Sequence, residues 1–151
     1  MQQMRIMEIL RYGCSLGMLT WNTILDIRNR KISLPVTGGG IALGLLMNCL
    51  ERQITWEDLL GLMVFAVFGG LSLLTHQAVG FGDAITVLAV CVILGGKRGL
   101  SVILCGLMLA GIYAIYLLVC RHHKKNEELP FLPFLLMGDV LMMAISFRMY
   151  I

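Results

Sequence analysis

Apolar residues run through this chain in six stretches broken by short polar segments. A membrane-crossing helix needs about 20 mostly apolar residues, with a range of about 17–25. The first stretch runs from Ile6 to Leu25, with Glu8 and Arg11 spaced to pair on one helix face. It ends in Asp26-Ile27-Arg28-Asn29-Arg30-Lys31, a charged segment that has to leave the hydrocarbon. The second begins at Leu34-Pro35, runs to Leu50, and carries Gly40 and Gly44 at small-x-x-x-small packing distance. A polar turn from Glu51 to Asp58 follows, in which Trp56 suits the membrane interface. The third stretch is Leu59 to Thr75, and His76 to Gly82 then read as a tight loop. The fourth is Ala84 to Gly96 and the fifth Gly99 to Cys120; after the polar loop Arg121 to Glu128, the sixth runs from Phe131 to Phe147. The pattern predicts an all-α, polytopic membrane protein with six transmembrane helices, forming a single domain over residues 1–151.

The fourth stretch is short. At about 1.5 Å per residue it reaches only about 20 Å, against a hydrocarbon thickness of about 30 Å. It therefore starts below the membrane surface, or the loop before it dips inward. Irregular backbone at that depth is tolerated only where protein or a wet cavity surrounds it. Either arrangement favours a site at Gly80-Phe81-Gly82-Asp83, where an acid enters an apolar helix behind two glycines. Acids at such depth are functional candidates by default.

Composition agrees with the pattern. The chain is 58% hydrophobic and 14% charged, where soluble domains carry about 45–50% apolar and about 25% charged residues. A net charge of +3 carries no nucleic-acid signature. The cysteines Cys14, Cys49, Cys91, Cys105 and Cys120 lie in or at the ends of apolar runs and form no C-x-x-C pair. They read as small packing residues rather than metal ligands, and no metal or cofactor is expected. The start of the chain is basic and then apolar, but its hydrophobic run continues for a full span, unlike a cleavable signal peptide.

With six spans, the exits of helix 1, the loop before helix 4 and the loop before helix 6 share one side, so Asp26 and Asp83 face the same compartment. Positive charges balance: Arg28, Arg30, Lys31, Arg121, Lys124 and Lys125 on that side, Arg5, Arg11, Arg52, Lys97, Arg98 and Arg148 on the other. Clustering in two loops favours a cytosolic site. Two adjacent carboxylates cannot both ionise cheaply, so one keeps a proton; that is the logic of an aspartic protease. The helix macrodipole at the start of helix 4 favours Asp83 as the ionised member.

Asp26-x-Arg28-x-Arg30-x-Ile32 with Gly80-x-Gly82-Asp83 resembles the type IV prepilin peptidases, membrane aspartyl peptidases that include the archaeal preflagellin enzymes. Pro130-Phe131-Leu132-Pro133-Phe134-Leu135 is similar to that family's Pro-Phe-x-Pro-Phe-Leu segment, and Leu94-Gly95-Gly96 to the end of its fourth helix. The resemblance implies catalysis by Asp26 and Asp83, with Gly80 and Gly82 shaping the loop and Arg28 and Arg30 supporting. It implies a cytosol-facing site in the plasma membrane that cuts the short leader from a prepilin-like precursor ahead of its hydrophobic helix. The chain departs from the family at Ile85, where a lysine is common, at Ser33-Leu34, where Pro-Asn is usual, and at Leu132, often a glycine. It also lacks the cysteine-paired segment that larger members carry, so no methyltransferase activity is expected.

Asp139 lies about eight residues into helix 6, roughly 12 Å down. It is either an acid that supports helix contacts or a third acid lining the cavity. A small transporter using Asp83 and Asp139, or an inactive partner-binding relative, are the competing readings; a transporter has little need of Asp26. His76 reads as a structural residue at a helix end, and His122 and His123 with Lys124 and Lys125 as a basic loop facing the membrane surface.

Overall fold

The computed structural model describes residues 2–29, 32–51, 56–74, 81–120 and 130–149. Among these the chain is all helical: α1 (Gln2–Asn29), α2 (Leu34–Glu51), α3 (Trp56–Leu74), α4 (Phe81–Leu94), α5 (Gly96–Cys120) and α6 (Leu132–Met149). The six expected helices are present, with shifted ends. Helix α1 runs on past Leu25 through the charged segment to Asn29, so Asp26 and Arg28 lie in its last turns. Gly82 belongs to the first turn of α4 and not to a loop, and Gly96 opens α5 instead of closing α4.

Helix α4 is the centre of the bundle. It packs against α1, α2, α3 and α5, while α6 closes the far side against α1 and α5. Its Ala84, Val87, Ala89, Val90, Cys91, Ile93 and Leu94 are all buried. A helix that is apolar all round is a buried one, and α4 meets that description at only 14 residues. Enclosure by four neighbours explains how it can be shorter than a span.

Small residues let those neighbours approach. A Cβ on Gly44 would lie 2.9 Å from the backbone nitrogen of Ile93, and one on Gly40 2.6 Å from Met18 Sδ, as the Gly40/Gly44 spacing predicts. At Cys91, Gly61 of α3 and Gly99 of α5 press in from two sides, with hypothetical Cβ contacts of 2.8 and 2.6 Å. Cys91 is thus a packing residue at the tightest point of the core. Gly138 of α6 sits on α5 in the same way, 2.8 Å from Val102 O and 3.0 Å from Gly106 N.

The end of α4 is stopped by Gly95, whose φ of 85° is a left-handed conformation that glycine adopts without a Cβ clash. Two of the carbonyls left over at that helix end are taken by other helices. Arg11 of α1 donates to Ile93 O at 2.7 Å and to Asn48 Oδ1 at 2.8 Å, and Asn48 Nδ2 donates to Val92 O at 3.1 Å. Glu8, expected to pair with Arg11, has Arg98 of α5 as an ion-pair partner. The start of α6 is fastened by its two phenylalanines, Phe131 against Phe68 at 6.3 Å and Phe134 against Tyr113 at 5.3 Å between ring centroids.

The outside is apolar and part of the inside is polar. Trp21, Ile24, Leu46, Met63, Val67, Met108, Ile112 and Val119 are exposed, whereas Arg11, Asn22, Thr37, Thr86 and Asp139 are buried. Among the described residues one helix, Gly96–Leu117, is long and apolar enough to cross a membrane; Leu34–Leu50, Gly61–Gly70 and Gly82–Leu94 are apolar but shorter.

Gly44→Ala is expected to lower the thermal midpoint in detergent, with a cost of about 1–3 kcal/mol for overpacking. Gly17→Ala, with nothing within 4 Å of the added Cβ, is expected to leave the midpoint unchanged or slightly raised.

Candidate active site

Asp26 occupies the last turns of α1 and Asp83 the first turn of α4, ahead of the apolar segment that starts at Ala84. The two helices pack together, and the charge of Asp26 reaches the Asp83 carboxyl. The fold thus brings the two sequence-predicted acids together from positions 57 residues apart (83 − 26).

Burial pushes Asp83 up from the usual 3.8 to about 6, and the neighbouring Asp26 charge adds to the rise. This rise runs against the helix dipole, the ground for expecting Asp83 to be the ionised member. The macrodipole at a helix start does favour a negative charge, by about 0.3–1 kcal/mol at exposed positions. Desolvation outweighs it here, because Asp83 is half-buried within the bundle.

Gly82 shows what the motif is for. A Cβ there would come within 2.6 Å of Ile32 Cδ1 and 3.2 Å of Ile32 Cβ. Gly82 is helical, so it supplies close approach rather than an unusual dihedral. Ile32 belongs to the connection between α1 and α2, and it is packed directly beside the residue before Asp83. Thr86 then donates to Gly82 O at 3.0 Å, one turn along α4.

A clamp that the sequence did not announce holds that connection. Asn22, one turn before Asp26, donates through Nδ2 to Thr37 Oγ1 at 2.9 Å and accepts from the Ser33 backbone N–H at 3.1 Å. Thr37 Oγ1 donates in turn to Ser33 O at 3.0 Å. Asn22 and Thr37 are both fully buried. The only sequence signal was polarity inside two apolar runs. The departure at Ser33 gains a meaning as well: a proline there would have no N–H to give Asn22.

Other predicted residues are less central. Arg28 is exposed, and with Trp21, Ile24 and Leu25 it lines a recess of about 440 Å³ on the outer side of α1. Ile85, in place of a lysine, is half-buried on α4. Asp139 is fully buried on α6 beside Ser15 of α1, several turns of α1 away from Asp26. Gly80, Arg30, His76, His122 and His123 lie outside the described residues. Among the described residues no three His, Cys, Asp or Glu side chains gather as a metal site.

A paired acid at the junction of two helix ends, with one member biased towards holding a proton, is the arrangement of a peptidase that works by acid–base chemistry. The family model of the type IV leader peptidase family matches residues 14–115, which include both acids. The chain belongs to that family, and so to a group of membrane-associated peptidases. No curated protein matches it, and no solved structure does.

Three predictions come from this site. Because the folded-state value of Asp83 is raised, the folded protein holds more protons than the unfolded chain between 3.8 and about 6. Stability therefore falls as pH rises across that window and levels off above it. Thermal melts of Asp83→Asn are expected to lose this component of the slope and to run above wild type at neutral pH. Separately, Asn22→Ala and Ser33→Pro should each cost about 1–3 kcal/mol by leaving buried polar groups without partners, seen as lowered melting points. Gly82→Ala should be destabilising alone and relieved by Ile32→Ala in the same chain.

Proposed function

We propose that the protein is an aspartic endopeptidase embedded in the plasma membrane as a single six-span domain, its active site at the cytosolic surface. The reading rests on one observation above others: Asp26 and Asp83 interact at the meeting point of α1 and α4, and Asp83 is the member pushed towards protonation. The apolar outer surface and buried polar residues support immersion of the whole bundle, the short α4 being shielded by its neighbours.

In this mechanism Asp26 is the ionised acid that takes a proton from the attacking water. Asp83 is the neutral acid that donates a hydrogen bond to the scissile carbonyl oxygen and stabilises the oxyanion as the water adds. The proton gained by Asp26 then passes to the leaving amine. No metal enters these steps. The substrate is a prepilin-like precursor whose hydrophobic helix lies in the bilayer, so that its leader junction arrives at membrane-surface depth beside the two acids.

Cleavage of a pilin-like precursor in membranes is the test. Asp26→Asn and Asp83→Asn are each expected to lower the rate by at least about 10²-fold. Wild-type activity is expected to fall as pH rises through about 6, where Asp83 loses its proton. Full activity in either variant would overturn the paired-acid mechanism.

A further inference from the structure

Asp139 has no part in that chemistry, yet it is one of the most costly residues in the bundle to bury. Its side chain is fully buried, and neither Oδ1 nor Oδ2 has a hydrogen-bond partner. Across the seam between α1 and α6 stands Ser15, also fully buried, close enough to act on the Asp139 carboxyl but without a complete hydrogen bond. Three polar oxygens therefore meet in an interior where unsatisfied groups are expensive.

We propose that this seam is a water-binding site, in which one buried water bridges Asp139 of α6 to Ser15 of α1. The number of oxygens decides between candidate ligands. A hard cation such as calcium takes about 6–8 oxygen ligands, far more than the carboxyl and one hydroxyl supply. A buried water makes about 3 hydrogen bonds, within a range of 2–4, which these atoms provide. A direct Ser15–Asp139 bond would not suffice, because it engages one carboxyl oxygen and leaves the other bare. The water donates to the carboxyl and accepts from the Ser15 hydroxyl, so each buried group gains a partner.

The bridge sits within an otherwise well-joined wall. Tyr12 Oη and Ser146 Oγ meet at 3.3 Å along the same α1–α6 contact, and Gly138 holds α6 against α5. Asp139 and Ser15 thus face each other across a helix contact that Tyr12 and Ser146 join further along.

Infrared difference spectroscopy on the purified protein in lipid, in ordinary water and in water labelled with oxygen-18, reads this site directly and does not depend on any peptidase assay. The expected result is a sharp O–H band of a bound water that shifts with the isotope. It should be lost in both Ser15→Ala and Asp139→Leu, and retained at a shifted frequency in Asp139→Asn. Ser15→Ala removes a single oxygen, so it keeps the test valid if Asp139→Leu does not fold. Absence of an isotope-sensitive band in wild type, or its persistence in Ser15→Ala, would overturn the proposal.

Discussion

Everything at the acid pair depends on how closely the end of α1 can approach the start of α4. Two helix ends carrying like charges have no electrostatic reason to meet, and proximity raises the cost of ionising either acid. The approach is imposed by packing. Gly82 lets Ile32 lie against the backbone of α4, while Gly40 and Gly44 bring α2 down onto the same helix. At the opposite end, Arg11 and Asn48 hold the terminal carbonyls of α4. Helix α4 is thus gripped at both ends by residues from α1, the α1–α2 connection and α2, which leaves little freedom to relieve the repulsion by sliding.

The same grip explains why polar residues are found inside an apolar bundle. Arg11, Asn22, Asn48 and Thr37 each bond to a backbone group, or to a side chain that does. In a hydrocarbon surrounding, a free backbone group costs several kcal/mol, so helix ends inside the bundle require side chains of this kind. Asn22 and Arg11 serve different ends of the site: one fixes the connection that carries Ile32, the other fixes α4 along its axis. The interior polar set is positional, and Asp26 and Asp83 are the pair whose chemistry we propose it positions.

Much of this was legible in the chain before folding. Six apolar runs predicted six helices, the shortness of the fourth foretold an enclosed element, and Gly40 with Gly44 announced a packing face. Asp26 and Asp83 were identified as partners by their positions at helix boundaries on one side. Three matters were not legible. The polarity of Asn22 and Thr37 showed, but their partners lie across a turn, and hydrogen bonds between helices leave no periodic trace. The Glu8–Arg98 ion pair joins α1 to α5, and local helix spacing, which offered Arg11 to Glu8, carries no sign of it. Most importantly, the dipole argument for Asp83 used only its place along one helix, and the burial that opposes it comes from the bundle packed around α4.

That reversal changes the division of labour between the acids. If charge were set by helix position alone, Asp83 would be the base and Asp26, at a helix end that disfavours anions, would carry the proton. Burial biases Asp83 towards holding the proton, and the proposed mechanism accordingly puts the base at the end of α1, the end that extends past the apolar stretch towards Arg28. In the proposed mechanism that base takes its proton from water, and the protonated acid meets the carbonyl of a substrate arriving from the bilayer. The proposal therefore assigns the two reactants by medium, water to Asp26 and peptide to Asp83. A hydrolytic enzyme at a membrane surface needs such a separation, because its two substrates approach from opposite solvents.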